Sequence, residues 1–161
     1  MDNPRPSTRP WALVTGASAG IGAEFARQLA ARGETLVLVA RRAERLRELA
    51  RERAASHGIA THVVALDLAD PAAGARLFAD TEAAGIAVEM LVNNAGYGLP
   101  GHLTSQPWQA HRDFIEVMVT GPVDLCWRYL PGMKARGRGH VINVASLAGL
   151  VPGSAGHTLY G

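Results

Sequence analysis

Apolar positions fall along this chain in short unbroken runs separated by longer stretches of mixed character. Residues 11–15, 35–40 and 62–66 are rich in Val and Leu and show no polar alternation. A strand with one wet face alternates with period two, so unbroken runs predict parallel strands covered on both faces. Residues 90–93 and 140–145 repeat the pattern after longer spacers. The spacers read as helices over 21–32, 43–56 and 71–84, stopping at or near Gly33, Gly58 and Gly85. Asp70-Pro71 predicts an N-cap followed by proline at the first position of the third helix, and the glycines act as stops. A longer helix is expected from about 107 to 135, carrying Phe114, Ile115, Met118, Leu125, Cys126 and Tyr129, with Gly121-Pro122 a candidate kink. The β-α alternation implies a doubly wound α/β sheet with right-handed crossovers and no internal repeat.

Composition narrows the classes of function. With 161 residues, 48% of them hydrophobic and 19% charged, the chain is long enough to bury the core of one globular domain. The formal net charge of +2 comes from scattered arginines and not from a basic block, which argues against nucleic-acid binding. Residues 1–10 hold three prolines and no apolar stretch, so they are expected to form a flexible tail and not a signal peptide. No run approaches the roughly 18 apolar residues needed to cross a bilayer, so no membrane partner and a cytoplasmic location are expected. Cys126 is the single cysteine, which rules out an internal disulfide, suits a reducing compartment and fits a buried helix face. No metal site is expected.

The first strand runs into Thr15-Gly16-x-x-x-Gly20-Ile21-Gly22 and then into a helix. No Lys-Ser or Lys-Thr follows the last glycine, which argues against an NTPase loop. A dinucleotide suits the spacing: Gly16 allows a sharp turn, Gly20 a close approach of backbone to phosphate, and Gly22 close helix packing. The phosphates would meet free N–H groups at the positive end of the helix. A bare glycine turn is also compatible with a purely structural role.

Taken with Asp67-Leu68, Asn93-Asn94-Ala95-Gly96 and Ser146 in the same order, this turn resembles the short-chain dehydrogenase/reductase (SDR) family over residues 10–161. The resemblance implies a Rossmann-type, three-layer α/β/α domain over 11–161, with five parallel strands in the order 3-2-1-4-5 and the later strands missing. It also implies that Gly16, Ser18, Ala19, Gly20, Ile21 and Gly22 cradle the cofactor. Asp67 would bond the adenine and Leu68 line its pocket, while Asn93, Ala95 and Gly96 border the ribose and stabilise the sheet. A satisfied turn is an equally good account of Asn93 and Asn94 from the residues alone. Where NAD-preferring members carry an acidic residue, the chain has Ala40 followed by Arg41 and Arg42, whose guanidinium groups suit a 2′-phosphate, so NADP(H) is the expected cofactor. The alternative is that these arginines merely open the charged helix face, a description that fits Arg45, Arg47, Arg51 and Arg53 better.

The family interconverts a hydroxyl and a carbonyl of a small-molecule substrate, with a tyrosine as acid/base. A phenol with pKa of about 10 is a poor acid at neutral pH. In the family a lysine four residues on, on the same helical face, lowers that pKa, and a serine steadies the substrate oxygen. Ser146 matches the serine and Tyr160, 14 residues later, the tyrosine; Tyr97 and Tyr129 lie outside the motif. The lysine would fall at position 164. Lys134, the only lysine, reads better as a cation at a helix C-terminus. Met118 occupies the place where the family often has an Asn of the proton relay, or is ordinary core packing. Tyr97, Leu99 and His102 either line a substrate pocket or fill a surface loop. The expectation is a C-terminally truncated NADP(H)-dependent oxidoreductase whose full-length form is a homo-oligomer, with the fifth strand left as an exposed edge. The alternative is a nucleotide-binding fragment or degenerate relative without turnover.

Overall fold

The computed structural model describes residues 9–150 and Leu159. Most of the tail expected over residues 1–10 and the whole of Tyr160 therefore lie outside the described residues. Five parallel strands, β1 (Trp11–Thr15), β2 (Thr35–Ala40), β3 (Thr61–Ala65), β4 (Val88–Asn93) and β5 (His140–Asn143), form one sheet in the order β3-β2-β1-β4-β5. Helices α1 (Gly20–Ala31) and α2 (Ala43–His57) supply residues to the core on one face, with Ala12, Val14, Leu36, Leu38 and Val92 packed against Leu29 and Leu46. On the other face Leu13, Val37, Val39 and Leu91 meet Leu77 of α3 (Ala73–Ala83) and Leu125, Tyr129 and Met133 of α5 (Gly121–Ala135). Successive residues of a strand point to opposite faces, and here both faces are covered by helices. That is why the strands read as unbroken apolar runs, and it confirms the doubly wound three-layer architecture in the expected strand order.

The element boundaries differ from the sequence expectation in instructive ways. Strand β3 starts at Thr61, β4 starts at Val88 and β5 ends at Asn143, although Val144 N–H still donates to Asn93 O at 2.9 Å. Helix α3 begins at Ala73, so Asp70-Pro71 does not cap it. Asp70 Oδ1 instead accepts the Ala72 N–H at 2.8 Å and Asp70 O the Ala73 N–H at 2.8 Å, closing a separate turn before the helix.

The single long helix expected over 107–135 is three pieces: α4 (Trp108–Ile115), a π turn at Glu116–Thr120, and α5. Pro122 has no N–H and its ring crowds the carbonyl four residues back. The chain widens before it, and Gly121 N–H bonds to Glu116 O, five residues back. The proline thus has its effect upstream of the Gly121-Pro122 pair, and it places Val117 and Met118 on the cleft described below.

Candidate functional site

The turn after β1 is held from three directions. Ala17 N–H donates to Val39 O of β2 at 3.1 Å. From β4, Asn94 Nδ2 donates to Thr15 O at 2.9 Å, and the backbone N–H groups of Asn94 and Ala95 both donate to Thr15 Oγ1 at 3.0 Å. Thr15 Oγ1 in turn donates to Val92 O at 3.2 Å, so this buried hydroxyl uses its one donor and both acceptor positions. From α2, Arg45 Nε donates to Ser18 O at 2.8 Å and Arg42 Nη2 donates to Ser18 Oγ at 3.1 Å.

These approaches explain the glycines. Gly16 has φ +66, and a Cβ there would lie 2.8 Å from Asn94 Nδ2 and 2.9 Å from Ala95 Cα. A Cβ on Gly22 would lie against the Gly16 carbonyl oxygen and 2.5 Å from Asn94 Nδ2. Gly20 differs: its φ is +56, but nothing stands within 4 Å of where its Cβ would be. It faces open space at the start of α1. Ala19 caps that helix with no side-chain hydrogen bond, and no acidic residue sits in its first turn. The first N–H groups of α1 therefore have neither a side-chain cap nor a negative neighbour in the sequence of that turn, which suits an anionic group.

Around this turn lies a cleft of about 1160 Å³ at the C-terminal ends of the strands. It brings together Gly16, Ser18, Ala19, Gly20 and Ile21 of the turn, Arg41 and Arg42 after β2, and Asp67 and Leu68 after β3. Asn93 at the end of β4, Ala95 and Gly96 after it, and Ser146 after β5 complete the wall. Gly22 does not line it; it packs behind. Asp67 Oδ1 accepts the Ala69 N–H at 3.1 Å, which closes the loop and leaves its other carboxylate oxygen for further partners. Asn93 is buried, with Nδ2 donating to Asn143 Oδ1 at 2.8 Å and lying 3.6 Å from Cys126 Sγ, so it ties β4 to β5 and to α5. Ser146 Oγ accepts the Ala148 N–H at 3.2 Å and is half-buried.

The far wall comes from the helical segment after β4. Met118 abuts Gly96, where a Cβ would lie 2.8 Å from its Sδ. Tyr97 stands edge-on to Phe114, ring centroids 5.4 Å apart, and its phenol is pushed above the usual range by burial and then by the charge of Asp113. Of the three loop residues left open by sequence, Tyr97 lines the cleft and Leu99 and His102 are not among its walls. Lys134 is in the last turn of α5 and likewise does not line it.

Sequence reasoning placed Asn94 in a satisfied turn without its partner, and it missed what Thr15 and Arg45 do to set this geometry. Asn94 and Thr15 hold the turn, and Arg45 reaches back to Ser18 instead of serving only the charged face of α2. A hydroxyl residue ending a strand just before a glycine turn was the available signal for Thr15.

The model of the short chain dehydrogenase family matches residues 10–161. The chain belongs to that family. A 7β-hydroxysteroid dehydrogenase of Collinsella aerofaciens is 35% identical to this dehydrogenase-family chain over 140 residues, covering 87% of it and 52% of that relative. A very-long-chain 3-oxoacyl-CoA reductase of Aspergillus clavatus is 37% identical over 144 residues, covering 88% of the chain and 42% of the relative. The chain thus spans between two fifths and about half the length of these curated relatives. Among solved structures, a metagenomic short-chain oxidoreductase in complex with NADP superposes with TM-score 0.86 at 39% identity, over 94% of this chain and 68% of that one. A short-chain dehydrogenase from Sphingobium yanoikuyae in complex with NADPH gives TM-score 0.86 at 33% identity, over 94% and 59%.

Proposed function

We propose that the cleft binds NADP(H), and that this SDR chain serves the interconversion of a hydroxyl and a carbonyl on a small-molecule substrate. The observation that carries the reading is the side-by-side placement of an uncapped helix N-terminus at Gly20 and the Arg41-Arg42 pair on one cleft. The turn from Gly16 to Ile21 would hold the pyrophosphate, and Arg41 and Arg42 the 2′-phosphate; Ala40 stands where an acidic residue would accept the ribose hydroxyl of NAD. Asp67 and Leu68 would hold the adenine, and Asn93, Ala95 and Gly96 the ribose. The bound nicotinamide would supply or take the hydride. Ser146 would orient the substrate oxygen by donating its hydroxyl, and Tyr160 would pass the proton to or from that oxygen.

Residues 1–161 contain one lysine, Lys134, at the far end of α5. The cation that would make Tyr160 a useful acid is therefore not among them, which favours a second reading for these residues taken alone: nucleotide binding without turnover. Titration calorimetry tests the first step. NADPH should bind at least tenfold more tightly than NADH, and equal affinities would refute the assignment of Arg41 and Arg42. Oxidation of NADPH with a panel of ketones separates the two readings when this chain is compared with one extended past position 164. Turnover by the 161-residue chain would sink the binding-only reading, and none by the extended chain would sink the enzyme reading.

Beyond Val119 and Val123, which also line the cleft, the exposed side chains of Trp127 and Leu130 continue an apolar stripe at helical spacing along α5. We read this stripe as the contact through which the protein forms a homo-oligomer.

A further inference from the structure

We propose that Arg45 is a positioning residue for the nucleotide turn: its Nε–H holds the Ser18 carbonyl and thereby aims the Ala19 N–H into the cleft. The inference rests on the reading of the cleft as a dinucleotide site. Arg45 Nε donates to Ser18 O at 2.8 Å, across 27 residues of sequence, while its neighbour Arg42 holds the hydroxyl of the same Ser18. The two arginines therefore do different things. Arg42 acts on a side chain that lines the cleft, and Arg45 acts on a peptide plane.

A trans peptide is planar, with its C=O and N–H pointing in opposite directions. The chain has no cis peptide bonds among its described residues. Anchoring the Ser18 carbonyl toward α2 therefore sends the following amide, Ala19 N–H, the other way, and Ala19 lines the cleft. On the α2 side the anchor is firm. Leu46 is fully buried and its N–H donates to Arg42 O at 3.1 Å, so the first turn of α2 that carries Arg45 is fixed against the sheet. Arg45 thus links the helix that follows the 2′-phosphate arginines to the turn that would meet the pyrophosphate.

Side-chain length gives a clean test. Glutamine places its amide nitrogen at the position of arginine Nε without the charge; lysine keeps the charge but has a carbon there. The probes are NADH, which has the pyrophosphate but no 2′-phosphate, and adenosine 2′-monophosphate, which has the reverse. Affinities are measured by titration calorimetry on the 161-residue chain, with melting temperature as the folding control. R45K should weaken NADH and NADPH alike by about tenfold, and R45Q should stay within about twofold of the parent. Neither should change the affinity for adenosine 2′-monophosphate, whereas R42A should weaken that probe. The loss in R45K should persist at 0.5 M salt (the assay condition, about a 4 Å screening length), since it is not a loss of charge. R45M, lacking the donor as well, should match R45K and guards against a folding defect peculiar to lysine. Wild-type affinity for NADH in R45K, or a loss in R45Q as large as in R45K, overturns the proposal while leaving the cleft's assignment intact. Failure of the parent chain to bind either dinucleotide overturns the cleft's assignment itself, and this inference with it.

Discussion

Replacing Thr15 by Val should destabilise the domain by about 3 kcal/mol, although the two side chains have nearly the same shape. Thr15 is 2% exposed and its hydroxyl is bonded to Val92 O and to the N–H groups of Asn94 and Ala95. Valine leaves those two N–H groups and one carbonyl without that partner. A buried donor stripped of its acceptor costs about 1–3 kcal/mol, and burying the extra methyl offsets roughly 0.8 kcal/mol. Thr15→Ser keeps the hydroxyl and removes one methyl, for about 1 kcal/mol. In a domain of this size 1 kcal/mol moves Tm by about 2–4 °C, so T15V should lower it by about 6–12 °C and T15S by about 2–4 °C. Urea unfolding followed by circular dichroism gives the free energies directly. If T15V falls within 1 kcal/mol (about the low end of one lost partner) of the parent, or T15S costs as much as T15V, the hydroxyl is not what holds the end of β4 to the turn after β1.

Gly22→Ala should abolish measurable NADPH binding by calorimetry, because its Cβ would lie 2.5 Å from Asn94 Nδ2 and against the Gly16 carbonyl; an affinity within threefold (about 0.6 kcal/mol) of the parent would refute this. Tyr129 is buried, its hydroxyl 2.9 Å from Thr81 Oγ1, and burial pushes its phenol up to about 12. Since the folded state holds this proton more tightly than the unfolded chain, its contribution is complete below about pH 10 and is lost as pH rises through 12. The parent should therefore lose about 1–2 kcal/mol more than Tyr129→Phe across that interval, and parallel stability curves for the two would contradict it. Trp127→Glu places a charge in the exposed stripe on α5, where Trp127 is 71% exposed, and should leave only monomer in sedimentation velocity; an unchanged oligomer distribution would place the interface elsewhere.

The sheet was legible because its cause is local in sequence. A strand covered on both faces is an apolar run wherever it lies, and β1 and β2 appear at the residues expected of them. The glycine turn was legible for the same reason. What escaped was set by partners far along the chain. Thr15 and Asn94 are 79 residues apart and Arg45 and Ser18 are 27 apart, and no periodicity connects either pair. Arg45 also sits in a helix whose Glu and Arg spacing already accounts for its charge, so the more general explanation masked the specific one. The π turn had a visible cause in Pro122, but the break in the hydrogen-bond ladder falls just upstream of that residue, at Glu116–Thr120. Asp70-Pro71 likewise carried a true turn signal whose turn closes before the helix starts.

These hidden contacts share one consequence for binding. The turn between β1 and α1 is fixed by β2 through Ala17, by β4 through Asn94, and by α2 through Arg42 and Arg45, so its conformation is set before any ligand arrives. A loop that had to be ordered on binding would subtract that ordering from the affinity, whereas a preformed one does not. The same reasoning explains why glycine is needed at Gly16 and Gly22 for space, not for mobility: a Cβ at either would meet the side chain of Asn94, one of the groups that hold the turn still. Gly20 is the exception, with open space at its Cβ position, and it lies where an incoming phosphate would need that space.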